Sequence, residues 1–168
     1  MRGAVSIRNI ESGDIIFRNG FGVEGRLLKN QKWTHVGLVY TENNTPYVIH
    51  AYPGPDGHSG TVRQEFLSDF VHKDIAKSYK MYRLKYSSAV DRQAAVTWAV
   101  SHIGAPFDYT YTNESETAFY CTAFVWKAVR VGGIDLCPVL PPPSNYPFIG
   151  VRSIILPGLL LSSEECYV

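Results

Sequence analysis

Thr34-His35-Val36-Gly37-Leu38-Val39-Tyr40-Thr41-Glu42-Asn43-Asn44-Thr45-Pro46-Tyr47-Val48-Ile49-His50-Ala51 is the stretch from which the fold of this chain is read. Asn43-Asn44 marks a turn, because asparagine tolerates the positive φ of a tight hairpin. Residues 34–40 and 46–51 flank it as apolar runs and read as two strands of that hairpin. With an even loop, Glu42 pairs with Thr45 and His35 falls opposite Tyr52. His35 and His50 then share a face as diagonal neighbours, about 7–8 Å apart at the backbone. An odd loop would separate them onto opposite faces. Gly37 leaves that face bare two residues after His35, which admits close approach of a helix or ligand.

Outward from the hairpin, residues 14–18 read as a buried strand after a Ser12-Gly13 turn, and 21–30 as a Gly-broken short helix. Residues 52–60 hold two Pro and three Gly and form a loop. A strand is expected at 61–65, a helical turn at 66–73 and a half-buried strand at 79–85. Residues 88–103 read as a helix, with Ser88 as N-cap, Gly104 and Pro106 as stop, and Ala94, Ala95, Trp98, Ala99 and Ile103 as its apolar stripe. A second helix covers 121–131, ended by Gly132-Gly133, with Phe124, Val125, Ala128 and Val129 inward. The Pro-rich 137–147 is expected to be extended, 151–156 a late strand, and the acidic last residues loose. Strands first and helices later predict one α+β domain over 1–168, an antiparallel sheet or small barrel packed against helices.

Composition removes several function classes. The net charge of +1, with no Lys/Arg block, carries no footprint of a nucleic-acid or anionic-lipid binder. No run of about 18 apolar residues occurs, so no transmembrane segment is expected. The N-terminus lacks the apolar core of a signal peptide. That reads as cytoplasmic if the terminus is native, and as secreted or periplasmic if a signal was removed. Cys121, Cys137 and Cys166 are odd in number and widely spaced, which argues against a disulfide framework. Without CxxC or CxxH no structural zinc is expected, and no cofactor is called for. Nothing in the sequence fixes an oligomeric state.

The chemistry centres on Cys121, which stands where an irregular segment, 105–120, gives way to the second helix. A thiol at a helix N-terminus feels the positive end of the dipole, which lowers its pKa. The unpaired first-turn amides can hold an oxyanion. The plainer alternative is a buried cysteine acting as a small hydrophobe. A nucleophilic thiol needs a base, and His35, an imidazole inside an apolar strand, is the candidate, against a core histidine satisfied by a carbonyl. His50 would orient His35, completing a Cys–His–His triad. The same three side chains could instead hold zinc with an open fourth position, and that reading excludes the nucleophile. His58 in the 52–60 loop is a candidate flap residue. His72 and His102 read as surface residues, and Gly20-Phe21-Gly22 is too short for a phosphate loop.

Three segments carry a family resemblance: Ser12-Gly13-Asp14-Ile15-Ile16-Phe17-Arg18; Thr34–Val39 with Tyr47–Ala51; and Gly104-Ala105-Pro106-Phe107-Asp108-Tyr109 leading to Phe119-Tyr120-Cys121-Thr122-Ala123-Phe124-Val125-Trp126-Lys127-Ala128. In this order the chain resembles the circularly permuted branch of the NlpC-type papain-like superfamily, in particular YiiX-like proteins, where the histidine precedes the cysteine. The resemblance implies a papain-like fold, catalytic Cys121 and His35, and a polar third residue at His50. Thr122 stands where such proteins often have Ser, and Phe107 where Tyr is common. If that tyrosine helps catalysis, Tyr109 or Tyr120 must replace it here. Tyr120, Thr122, Tyr109 and His58 are therefore the candidates for the cleft and oxyanion site. The implied activity is amide cleavage in a small peptide or cell-wall fragment. The alternatives are acyl transfer or thioester cleavage on an acyl lipid, since lecithin:retinol acyltransferase-like proteins share the permuted design, and a non-catalytic binding module.

Overall fold

The computed structural model describes residues 9–28 and 30–163. In chain order its elements are β1 (Ile15–Gly20), α1 (Val23–Leu27), β2 (His35–Glu42), β3 (Thr45–Tyr52), β4 (Thr61–Phe66), α2 (Leu67–Phe70), β5 (Ala76–Tyr82), α3 (Ala89–Ser101), α4 (Cys121–Val131), β6 (Ser144–Tyr146) and β7 (Gly150–Arg152). A 3-10 turn spans Pro157–Ser162. Five strands make one antiparallel sheet in the order β4-β3-β2-β1-β5, an α+β architecture with an open sheet.

The hairpin register is the predicted one. Asn43 and Asn44 take φ of 50° and 64°, and Glu42 pairs with Thr45. At Gly37 a Cβ would lie 2.3 Å from Val48 Cγ1 and 3.2 Å from His50 Cβ, so the glycine makes room for His50.

Strand alternation divides the interior in two. Phe17, Val36, Leu38, Ile49 and Val62 face α3 and α4 and build the larger core. Ile16, Val39 and Val48 face the other way and meet Leu67, Phe70 and Met81. Phe124, Val125, Ala128 and Val129 are fully buried, as the helical pattern predicts. Each large apolar side chain buried this way contributes about 1.5–3 kcal/mol. Ser88 caps α3 by accepting the Asp91 amide at 3.1 Å. Within α3, Ala95, Val96 and Ala99 are the buried residues. Ile103, expected on that stripe, lies beyond the helix end and is exposed.

Other boundaries differ too. β5 runs over Ala76–Tyr82 rather than 79–85, because its pairing with β1 ends at Tyr82 opposite Ile15. Of 151–156 only the first residues form a strand, and β7 pairs with β6 in a separate ribbon. Ile154 and Ile155 turn into the core instead of continuing it. β6 falls inside the Pro-rich stretch read as extended: Ser144–Tyr146 lies between prolines and keeps its N–H groups, so it can pair with β7. The acidic last residues and Cys166 lie outside the described residues.

Residues 105–120 carry the chain to α4. Pro106 bridges to Thr61, and Phe107 bridges to Phe119. The Asp108 carboxylate accepts the amides of Thr110 and Thr112 at 2.9 and 3.0 Å, winding a tight local turn. Tyr120 then stands extended at the helix entrance without a side-chain cap, and Cys121 opens α4.

Candidate active site

β2 and β3 present His35 and His50 on the sheet face turned away from α4, against the Phe70 ring. His35 Nε2 and His50 Nδ1 are 2.7 Å apart. Register brings charged groups to the same face: Arg18 on β1 pairs with His35, and Arg63 on β4 pairs with His50. Glu65, two residues beyond Arg63, lies with Oε1 3.0 Å from His50 Nε2 and Oε2 2.9 Å from Arg63. Glu24 from α1 closes the other end, with Oε2 3.2 Å from His35 Nδ1 and Oε1 2.7 Å from Arg18 Nε. Both carboxylate–imidazole contacts are short but bent away from ideal hydrogen-bond angles. Arg18 also stacks on Phe70, 4.3 Å from the ring centroid.

Arg18, Glu24, His35 and His50 are deeply buried, Glu65 and Arg63 less so, and burial governs the titration of the imidazoles and of Glu24. It holds His50 down to about 4 although Glu65 pulls upward. It pushes His35 well below its ordinary value, helped by Arg18, His50 and Arg63. Burial raises Glu24 against the pull of Arg18. Desolvation raises Glu65, but its contact with His50 and the charges of Arg63 and Arg18 outweigh it, so Glu65 ends below the usual range. With both imidazoles neutral, Arg18 and Arg63 balance Glu24 and Glu65, so the cluster buries little net charge.

Cys121 approaches from the other side of the sheet, over the end of β2. Its sulfur lies 3.6 Å from Thr122 Oγ1 and accepts the Val36 amide. Burial pushes the thiol up to about 11, and the Glu24 charge adds to this. The helix-start thiol expected at a lowered pKa is therefore a protonated one, because desolvation outweighs the dipole in this closed arrangement. Cys121, His35 and Glu24 all border one enclosed cavity of about 30 Å³, walled by Val23, Leu28, Phe107, Tyr111, Tyr120, Ile154, Ile155 and Pro157. Among the described residues no hydrogen bond joins the sulfur to the imidazole, whose two nitrogens face Glu24 and His50.

A model of the family described as permuted papain-like amidase enzymes, YaeF/YiiX, C92, matches residues 9–136. The chain belongs to this family. In this chain the histidine strand β2 precedes the cysteine helix α4. It is 26% identical over 110 residues to the uncharacterized protein YycO of Bacillus subtilis (strain 168), covering 59% of this chain and 44% of that protein, so it spans less than half of that relative. The crystal structure of the metalloprotein YiiX from Escherichia coli O157:H7 has the same fold, with a TM-score of 0.70 and 18% identity over 93% of this chain and 94% of that one.

Cys121, His35 and His50, the side chains of the zinc alternative, do not converge on one point. The two imidazoles are directed at each other, and among the described residues no three His, Cys, Asp or Glu side chains are placed to hold a metal ion. Of the cleft candidates, Thr122 and Tyr120 border the cavity with Cys121. The Tyr120 hydroxyl is already engaged, donating to Asn113 Oδ1 at 2.6 Å and accepting the Ile155 amide at 3.0 Å. Tyr109 is not on the cavity wall: its hydroxyl donates to the Pro53 carbonyl and accepts the Gly60 amide, tying down the 53–60 loop. His58 is exposed in a separate groove with Arg26, Asp56 and Phe148, so it is not a flap over Cys121 here. Arg18, Glu24 and Glu65 went unseen in the sequence reading. Arg18 and Glu65 carried a signal, a charge at a position whose alternation points inward, but only the strand order joins them to the histidines.

Proposed function

We propose that this chain is a cysteine hydrolase that cleaves an amide bond in a small peptide or cell-wall fragment through an acyl-enzyme on Cys121, with His35 as base. The observation that carries this is the line of contacts from Glu65 through His50 to His35, ending at a nitrogen beside the cavity that Cys121 borders. A carboxylate near His50 Nε2 favours the proton on that nitrogen. His50 Nδ1 is then an acceptor and takes the hydrogen bond from His35 Nε2–H. With the Glu24 carboxylate against it, His35 Nδ1 holds a proton by the same rule; once that carboxyl swings away, the Glu65–His50 contact leaves Nδ1 with the lone pair a general base needs.

In the reaction, the Cys121 proton passes to His35 Nδ1 as sulfur bonds to the carbonyl carbon. The carbonyl π pair moves to oxygen, toward the first-turn amides of α4. Collapse breaks the C–N bond, and the leaving amine takes the proton from His35. Water, deprotonated by His35, then releases the acid and frees the thiol. In the resting arrangement Glu24 covers Nδ1, so the carboxyl must swing away before the sulfur can use it. The thiol at about 11 remains protonated until that moment.

A second reading, an acyl lipid as substrate, is favoured by the aliphatic wall of Val23, Leu28, Ile154, Ile155 and Pro157. Hydrolysis of short peptide amides and of medium-chain acyl esters separates the two. Peptide cleavage abolished in Cys121→Ala and His35→Ala supports the amidase. Turnover of acyl esters alone favours the lipid reading. Turnover of either class undiminished in Cys121→Ala overturns both.

A further inference from the structure

The polar side chains on the cavity wall are nearly all spoken for. Thr34 Oγ1 accepts the Gly20 amide at 2.9 Å and donates to the Arg18 carbonyl at 3.4 Å. Tyr120 is held between Asn113 and Ile155, Glu24 between Arg18 and His35, and Thr122 lies on the sulfur. Tyr111 is the exception: among the described residues its hydroxyl has no hydrogen-bond partner, although it borders the cavity together with Cys121.

Its backbone sets it apart as well. Tyr111 has φ of 53°, an uncommon and strained conformation for a bulky side chain. Such a residue persists only where its surroundings enforce it. Asp108 does so here, gripping the residues on both sides of Tyr111 through the amides of Thr110 and Thr112. Ring contacts fix the direction: the Tyr111 ring lies 5.3 Å from that of Tyr120 and 5.8 Å, edge-on, from that of Phe107. Burial raises the phenol, and Cys121 raises it further, so it stays a neutral O–H donor on the cavity wall that it shares with Cys121.

We propose that Tyr111 is a catalytic residue that donates its phenolic hydrogen to the acyl oxygen as Cys121 attacks, completing with the α4 amides the site for the oxyanion. This rests on Cys121 being the nucleophile. No bond to Tyr111 forms or breaks: the sulfur–carbon bond forms, the carbonyl π pair goes to oxygen, the thiol proton goes to His35, and the phenol only hydrogen-bonds the new negative charge. Tyr111 thus takes the part that the sequence reading offered to Tyr109 or Tyr120, whose hydroxyls are both bound elsewhere.

Tyr111→Phe removes the hydroxyl and keeps the ring contacts. With p-nitrophenyl butyrate as probe, acylation of Cys121 in the variant is expected to slow by about 10²-fold, the range for loss of one oxyanion donor, with KM nearly unchanged. Butyraldehyde, which forms a tetrahedral adduct with a thiol, should lose affinity in parallel, while thermal melting is unaffected. An acylation rate and aldehyde affinity within twofold of wild type, in a protein whose activity is abolished by Cys121→Ala, would overturn the role of Tyr111 and leave the hydrolase standing. Activity that survives Cys121→Ala would overturn both.

Discussion

Acidification should unfold this protein through its buried histidine pair. In the folded state His50 is held from 6.5 down to about 4, and His35 is also pushed well below 6.5. In the unfolded chain both return to about 6.5. Between those values the unfolded state binds more protons than the native one, so stability falls as pH falls through that window. For His50 alone, 6.5 to about 4 is roughly 2.5 pH units, or about 3 kcal/mol across the full window at 1.36 kcal/mol per unit. His35 adds a loss of the same sign. Glu24 opposes it, since its raised pKa lets the native state take up a proton first. Glu65, lowered, adds to the loss at the acid end. Urea unfolding followed by tryptophan fluorescence between about pH 7.5 and 4.5 should show a fall of at least about 2 kcal/mol, steepest below pH 6.5. In His50→Gln the absolute stability drops and the slope should shrink by the His50 share, leaving the share that His35 contributes. A stability independent of pH in wild type, or a slope unchanged in the variant, would refute the reasoning.

Two substitutions probe the charged neighbours. Glu65→Ala should slow turnover by on the order of tenfold, part of the 10²–10⁴-fold that a positioned base supplies, whereas Glu65→Gln, which still offers His50 Nε2 an oxygen, should recover most of it in steady-state kinetics. Glu24→Ala strands the buried Arg18 and should cost about 3 kcal/mol in urea unfolding. It also removes a charge that raises the Cys121 thiol, so alkylation of Cys121 by iodoacetamide at neutral pH should be faster than in wild type.

The hairpin and the two long helices were legible because their signals are local. Asn43-Asn44 set the register, and register alone brought His35 to His50. Ser88 and Gly132 bounded the helices, and Cys121 opened α4 where the irregular segment ends. The charges around the imidazoles were not legible, because Arg18 meets His35 only when β1 lies beside β2, and Glu65 reaches His50 only when β4 closes on β3. Glu24 comes from a five-residue helix whose placement no pattern predicts. The thiol was misjudged because a dipole is a property of the helix start, whereas desolvation depends on everything later packed over it. Tyr111 escaped notice because its distinguishing features, a hydroxyl without a hydrogen-bond partner among the described residues and a positive φ, exist only in the folded loop.

Mass spectrometry of the acid-quenched enzyme after brief exposure to an activated acyl ester tests the covalent step most directly. A single acyl group on the Cys121 peptide is expected, formed much more slowly in His35→Ala and accumulating only until hydrolysis begins. An adduct spread equally over Cys121 and Cys137, or acylation of Cys121 at the same rate without the His35 imidazole, would contradict a nucleophile served by that base.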